Sequence, residues 1–312
     1  MRVYTASVVE QLIDIKRLTQ FFQRKMLHQL AVTKSNVPKR TLIFKDKPFS
    51  VFGSMPAVDE CSELFIVKNA ALVTGGNLSA IHAITNVFCT KTGVPLALID
   101  GDSMTGLRTA AASAAIAMHC TPELADSLGI IGAGVQAEYQ VHAILSIRPI
   151  KQISIYSRTH AKALKLRAVL LAQYSDIVVD VVDNVSDCVS NKKIVITATT
   201  SNEPVFSLQK VSPGTHIGLI GSHSRVNREL SHQEMSQHTV VTENREFAIV
   251  EAGDVHSKAI EPNELFEMPH DDLASKISIF SSIGTALMDL YFVEYLLSLE
   301  ETSNLNCINL KE

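Results

Sequence analysis

Residues 127–159 constrain this chain more than any other stretch. They read SLGIIGAGVQAEYQVHAILSIRPIKQISIYSRT: a short apolar run, a glycine turn, an amphipathic helical period, then a second apolar run. That order is a strand–helix–strand unit. The rhythm continues beyond it. AKALKLRAVLLAQY reads as a helix, and DIVVDVV, KKIVITATT and THIGLIGS read as strands. Strands that alternate with helices predict an α/β fold, a doubly wound parallel sheet with right-handed crossovers.

The residues before Thr121 follow another pattern. In residues 8–32, Leu12, Ile15, Leu18, Phe21, Phe22 and Met26 recur at three and four residues and predict one amphipathic helix. TLIF, FSVFG, LFIVKNAALV and VPLALID read as strands, with Gly75-Gly76 and Thr92-Gly93 as turns. Residues 103–119 form an Ala-rich helix, a domain boundary follows near Thr121, and residues 283–299 return to helix.

Composition excludes several classes. The chain has 312 residues, 46% hydrophobic, with 28 Lys+Arg against 32 Asp+Glu and a net charge of −4. Such a chain buries a core, and it lacks the basic excess that nucleic acid or an anionic membrane demands. The longest apolar run, residues 110–118, is too short to span a bilayer, and Glu10 and Asp14 stand where a secretory leader would be apolar. The five cysteines form no Cys-x-x-Cys pair, and no His/Cys/Glu cluster has metal-ligand spacing. The expectation is a soluble cytoplasmic protein without metal.

Gly132-Ala-Gly134-Val135-Gln136-Ala137 is a G-x-G-x-x-A turn. Gly132 permits the tight turn, Gly134 admits a pyrophosphate to the backbone, and Ala137 lets the helix sit close to the strand. The free N–H groups of the helix start favour an anion. The alternative is a glycine turn of purely structural use. A dinucleotide site that takes NAD usually has an acid at the end of the next strand. Here that strand ends Tyr156-Ser157-Arg158-Thr159. A cation flanked by hydroxyls suits a ribose 2′-phosphate, so NADP(H) is preferred over NAD(H).

Three cations outside this region need partners: Arg40, Lys68 and Arg108. Lys68 lies inside an apolar strand, and Arg108 is read in the first turn of a helix, where the dipole opposes it. The partner is either an internal carboxylate or an anionic substrate.

The run DGDSMTGLRTAAASA (residues 100–114) followed by LGIIGAGVQA (residues 128–137) resembles the ornithine cyclodeaminase/μ-crystallin family. Met55-Pro56, Lys68, Thr92-Gly93, Glu251-Ala-Gly-Asp254 and Ser282-Ile-Gly-Thr-Ala286 with Asp289 match as well, and the resemblance covers essentially the whole chain. It implies a homodimer. Residues 1–121 plus 285–312 would form an α+β substrate-binding and dimerisation domain, and residues 122–284 a Rossmann-type dinucleotide-binding domain. Arg40, Met55, Lys68 and Arg108 would hold a small imino or amino acid. Thr109 would bind cofactor phosphate at a helix start, Thr199 and Ile220 would line the nicotinamide side, and Ser282 and Gly284 would complete the cofactor set. Phe52, Val67, Asn69 and Leu78 are further candidates to bound the substrate.

Where cyclodeaminases and the related alanine dehydrogenases carry an aspartate base, this chain reads Gly221-Ser-His223-Ser-Arg-Val-Asn-Arg-Glu229-Leu230. The substitution likens it to the ketimine-reducing members. His223 would then donate a proton, or else hydrogen-bond Glu229 from behind the site; Glu229 could equally cap a helix. The reading is an NADPH-dependent reductase of a cyclic imino acid such as pyrroline- or piperideine-2-carboxylate, with Lys68, Arg108 and His223 catalytic. Alternatives are an ornithine cyclodeaminase or amino-acid dehydrogenase, a synthase of N-substituted amino acids, and a non-catalytic nucleotide-binding protein of the crystallin kind.

Overall fold

The computed structural model describes residues 1–28, 35–46, 49–73, 81–221, 224–226, 228–270, 273, 275–299 and 306–308. It divides into two compact units, Met1–Arg108 with Gly284–Glu312, and Thr109–Ile283. The division falls inside helix α3 (Gly101–Cys120), between Arg108 and Thr109 and so ahead of the boundary expected near Thr121, because the first turns of α3 group with the first unit and the rest with the second.

The first unit is built on a sheet of β1 (Arg2–Tyr4), β2 (Ser35–Asn36), β3 (Thr41–Asp46), β4 (Phe49–Asp59), β5 (Leu64–Val73), β6 (Ile81–Cys89), β7 (Pro95–Asp100) and β15 (Asn306–Cys307). Its order is β15-β1-β7-β6-β5-β4-β2, with β3 also paired to β4, and β4 to β7 run as an antiparallel meander. Strand β6 is absent from the sequence reading because its pattern is inverted: the inward residues Ala83 and Thr85 are small or polar, while Ile84 is exposed. The single helix expected over residues 8–32 is two within the described residues, α1 (Ala6–Leu12) and α2 (Ile15–Leu27). Asp14 is the cause, since its side chain accepts from the Arg17 N–H at 3.0 Å and starts a new helix.

Helix α10 (Ala286–Ser298) is apolar on nearly every side. It packs on β4, β5 and α2, where Tyr291 meets Phe22 edge-on at 6.0 Å. This packing brings the C-terminal segment of the chain behind the strand that carries Lys68.

The second unit holds β8 (Ser127–Ile131), α4 (Val135–Ile147), β9 (Gln152–Tyr156), α5 (His160–Gln173), β10 (Val178–Val181), α6 (Val185–Val189), β11 (Ile194–Thr197), β12 (His216–Leu219), α7 (His232–Met235), β13 (Thr239–Val241), α8 (Arg245–Ala252), α9 (Pro262–Phe266) and β14 (Ser278–Ser281). Strand order is β10-β9-β8-β11-β12-β14-β13, and every pair is parallel. Strands β8, β11, β12 and β14 are buried throughout, as helices on both faces require. The strand order reverses direction between β8 and β11, and a crevice opens at the carboxyl ends of the strands at such a point. No helix among the described residues is long and apolar enough to cross a membrane.

Candidate active site

In the second unit a cleft of about 220 Å³ lies at that reversal, lined by residues 131–134, 156–159 and 198–201 together with Lys162 and Val205. The glycine turn joins β8 to α4. Gly132 has a φ of +106°, and a side chain there would strike the Ala198 carbonyl at 2.4 Å, so only glycine fits. A Cβ on Gly134 would meet nothing within 4 Å. No side chain caps α4, whose first N–H groups are left for a ligand. Arg158 and Lys162 stand in this cleft, and no carboxylate lines it among the described residues. The described residues fit a dinucleotide: an open cradle for a diphosphate and two cations beside it, with no acid among them to repel it.

The loops that follow β11 and β12 are joined by Glu229. Its carboxylate is 1% exposed and accepts four hydrogen bonds, from Thr197 Oγ1 at 2.7 Å, Thr199 N–H at 2.7 Å, Thr199 Oγ1 at 2.7 Å and Gly221 N–H at 2.8 Å. Burial pushes the carboxyl up from its usual range, and the four donors oppose that rise. Glu229 caps no helix; the next helix, α7, begins at His232 with Ser231 as its cap.

The first unit contains the cations. Strand alternation turns Leu64, Ile66 and Lys68 to the buried face of β5. The Lys68 ammonium is 2.9 Å from Asp289 Oδ1 and 2.8 Å from Oδ2, and the carboxylate is fully buried on α10. Arg108 reaches the same group at ion-pair distance, with Nε 3.0 Å from Oδ1, yet both Nε and Nη1 are buried with no hydrogen-bond partner among the described residues. Buried guanidinium N–H groups are rarely left unpaired, so Nη1 is a donor that an acceptor would satisfy. Burial lowers the Lys68 pKa to about 8; Asp289 opposes that, while Arg108 and Arg40 reinforce it. Two buried cations, Lys68 and Arg108, therefore share one carboxylate, and the surplus positive charge of that trio suits an anion.

Several expected residues lie elsewhere than the sequence reading puts them. Helix α3 starts at Gly101, where Asp100 accepts from the Ser103 N–H at 2.8 Å, so Arg108 and Thr109 lie in its interior and not at a helix start. The helix dipole does not oppose Arg108 there, because that effect fades beyond the first turn. Met55 pairs in register with Lys68 and shares its face, whereas the pleat turns Phe52, Val67 and Asn69 to the other side. Of the cofactor set, Gly132, Gly134, Ser157, Arg158, Thr159 and Thr199 line one cleft, and Val135 and Gln136 open α4 beside it. Ile220 is buried after β12 and does not line the cleft. The Ser282 hydroxyl donates to Glu243 at 2.6 Å, and Gly284 backs the Arg108 guanidinium. His223, Leu78 and the Gly75-Gly76 turn lie outside the described residues.

Lys162 and Asp289 carry no site role in the sequence, where Glu229 stands behind the site or at a helix cap. Lys162 has a local signal, since it follows the helix cap Thr159 by three residues and so shares the strand-end environment of Arg158. Asp289 has only its place in the C-terminal motif.

The chain is similar to proteins of known name and structure. Delta(1)-pyrroline-2-carboxylate reductase of Bacillus cereus is 28% identical over 315 residues, covering 95% of each chain. Ketimine reductase mu-crystallin of Rattus norvegicus is 29% identical over 260 residues, covering 81% of this chain and 82% of its own. The structure of Thermococcus litoralis Delta(1)-pyrroline-2-carboxylate reductase, in complex with NADH and L-proline, superposes with a TM-score of 0.86 at 28% identity, covering 95% of this chain and 96% of that one. Residues 2–299 match the profile of the ornithine cyclodeaminase/mu-crystallin family, and the chain belongs to that family.

Proposed function

We propose that this chain reduces a small cyclic imino acid, of the pyrroline-2-carboxylate or piperideine-2-carboxylate kind, to the L-amino acid with a nicotinamide dinucleotide. The observation that carries the reading is the surplus of buried positive charge around Asp289, with Arg108 Nη1 unpaired. Arg108 and Arg40 clamp the substrate carboxylate, and a guanidinium makes such a contact through two parallel N–H donors. Lys68, with a pKa near 8, delivers a proton to the substrate nitrogen. The bound cofactor supplies a hydride for the imine carbon. Hydride and proton together convert C=N to CH–NH, so the sum balances. An acid suits this direction, and the family's aspartate base is replaced by His223, in keeping with reduction. The test follows nucleotide oxidation at 340 nm with each imino acid, and ammonia release from L-ornithine in parallel. Ornithine turnover without imine reduction would overturn the reading.

Arg158 and Lys162 in the cleft favour NADPH over NADH. Charge-assisted hydrogen bonds contribute about 1.5–3 kcal/mol each. Arg158→Ala is therefore expected to raise the NADPH KM about 10- to 100-fold and leave the NADH KM nearly unchanged. Equal effects on the two cofactors would remove the preference.

Pairing into a homodimer belongs to the same reading. On one face of the first unit's sheet Ile43, Phe52 and Ile84 are 64%, 42% and 49% exposed and lie side by side. Apolar groups rim a hollow of about 440 Å³ there, and a contiguous patch of that kind marks an interface. Ile43→Asp should shift the sedimentation coefficient from dimer to monomer at micromolar concentration. A monomeric wild type would dismiss this pairing.

A further inference from the structure

We infer that Glu229 is a positioning residue that clasps the loops after β11 and β12 and so shapes the nicotinamide half of the cofactor cleft, leaving the adenosine half to other residues. The inference rests on the dinucleotide reading above. Glu229 spans two strand ends. Oε1 takes both donors of Thr199, and Oε2 takes Thr197 Oγ1 and Gly221 N–H. The two loops also touch directly, because a Cβ on Gly221 would lie 2.1 Å from the Thr199 carbonyl. Thr199 lines the cleft, and its neighbour Ala198 presses its carbonyl against Gly132.

A buried carboxylate is costly, and no cation lies within ion-pair distance of Glu229 among the described residues. Four donors, two of them fixed backbone N–H groups, offset that cost only in this one arrangement. The clasp therefore holds a particular loop geometry. The glycine turn and Arg158 belong to β8 and β9, on the other side of the reversal in strand order, and Glu229 accepts nothing from them. In a doubly wound sheet the two halves of a dinucleotide lie on opposite sides of that reversal. Loss of the clasp should then be felt by one half of the ligand alone.

The experiment compares wild type, Glu229→Gln and Glu229→Ala by direct binding. The ligands are NADPH, NADH and the corresponding fragments without nicotinamide, 2′-phospho-ADP-ribose and ADP-ribose. Glutamine keeps the shape but turns an NH₂ toward a backbone N–H, so its effect should be graded below that of alanine. The expected result is about a tenfold or larger rise in Kd for the preferred dinucleotide with Glu229→Ala, corresponding to about 1.4 kcal/mol. Fragment binding should change less than about twofold, and the fluorescence enhancement of the bound reduced nicotinamide should fall. If Glu229→Ala does not fold, Glu229→Gln carries the same comparison. Unchanged dinucleotide binding, or equal weakening of dinucleotide and fragment, overturns the inference while leaving the functional reading intact. A wild type that binds neither dinucleotide overturns both.

Discussion

Lys68→Met is expected to reduce the imino acid about 10²- to 10⁴-fold more slowly than wild type, the range for a lost general acid. The ammonium is 3% exposed, and burial brings its pKa from 10.5 to about 8. Reduction needs a proton at nitrogen, and only the protonated lysine can give one. The wild-type kcat/KM should thus be level below pH 8 and fall tenfold per unit above it. The methionine variant should show a low rate without that limb. Methionine keeps much of the apolar stem, so the fold is retained and the comparison isolates the charge. A variant with intact kcat and only a raised KM would reduce Lys68 to a binding role.

Asp289→Asn should lower the unfolding free energy by about 3–5 kcal/mol, the usual cost of leaving buried charges uncompensated. Lys68 and Arg108 lie within 3.0 Å of that single carboxylate, which has no exposed surface. An amide retains the volume and removes the negative charge, so the two cations would repel each other without an anion between them. The kinetic sign is also fixed. Asp289 raises the Lys68 pKa against burial, so its loss should move the alkaline limb to below pH 8. Denaturant unfolding and the pH profile together check the claim. A stable variant with an unmoved limb would show that Asp289 is no counter-ion to Lys68.

The phosphate turn was legible because everything it requires is local. Gly132, Gly134 and Ala137 lie within six residues, and Arg158 ends the next strand. Elements whose inward faces are apolar were legible for the same reason. Strand β6 was not, since its buried side carries Ala83 and Thr85 and its apolar Ile84 faces out. Helix α3 starts ahead of its Ala-rich run because Asp100, whose side chain accepts from the Ser103 N–H, sits at the end of a strand pattern. The substrate candidates on β4 and β5 show the same limit at finer scale. Their types allowed a pocket, but strand pleating divides Met55 and Lys68 from Phe52, Val67 and Asn69.

Sequence alone determined the fold class, the dinucleotide turn and the presence of cations that an apolar strand and an Ala-rich helix could not leave unpaired. Composition and short-range periodicity suffice for those, because each is decided by contacts a few residues apart. Only the tertiary structure decided which groups answer those cations and which loops are tied together. Asp289 meets Lys68 across 221 positions of chain, and Glu229 meets Thr197 and Thr199 across 32 and 30. No local rule encodes such pairings, since they exist only once a helix packs on its sheet and parallel strands align their ends.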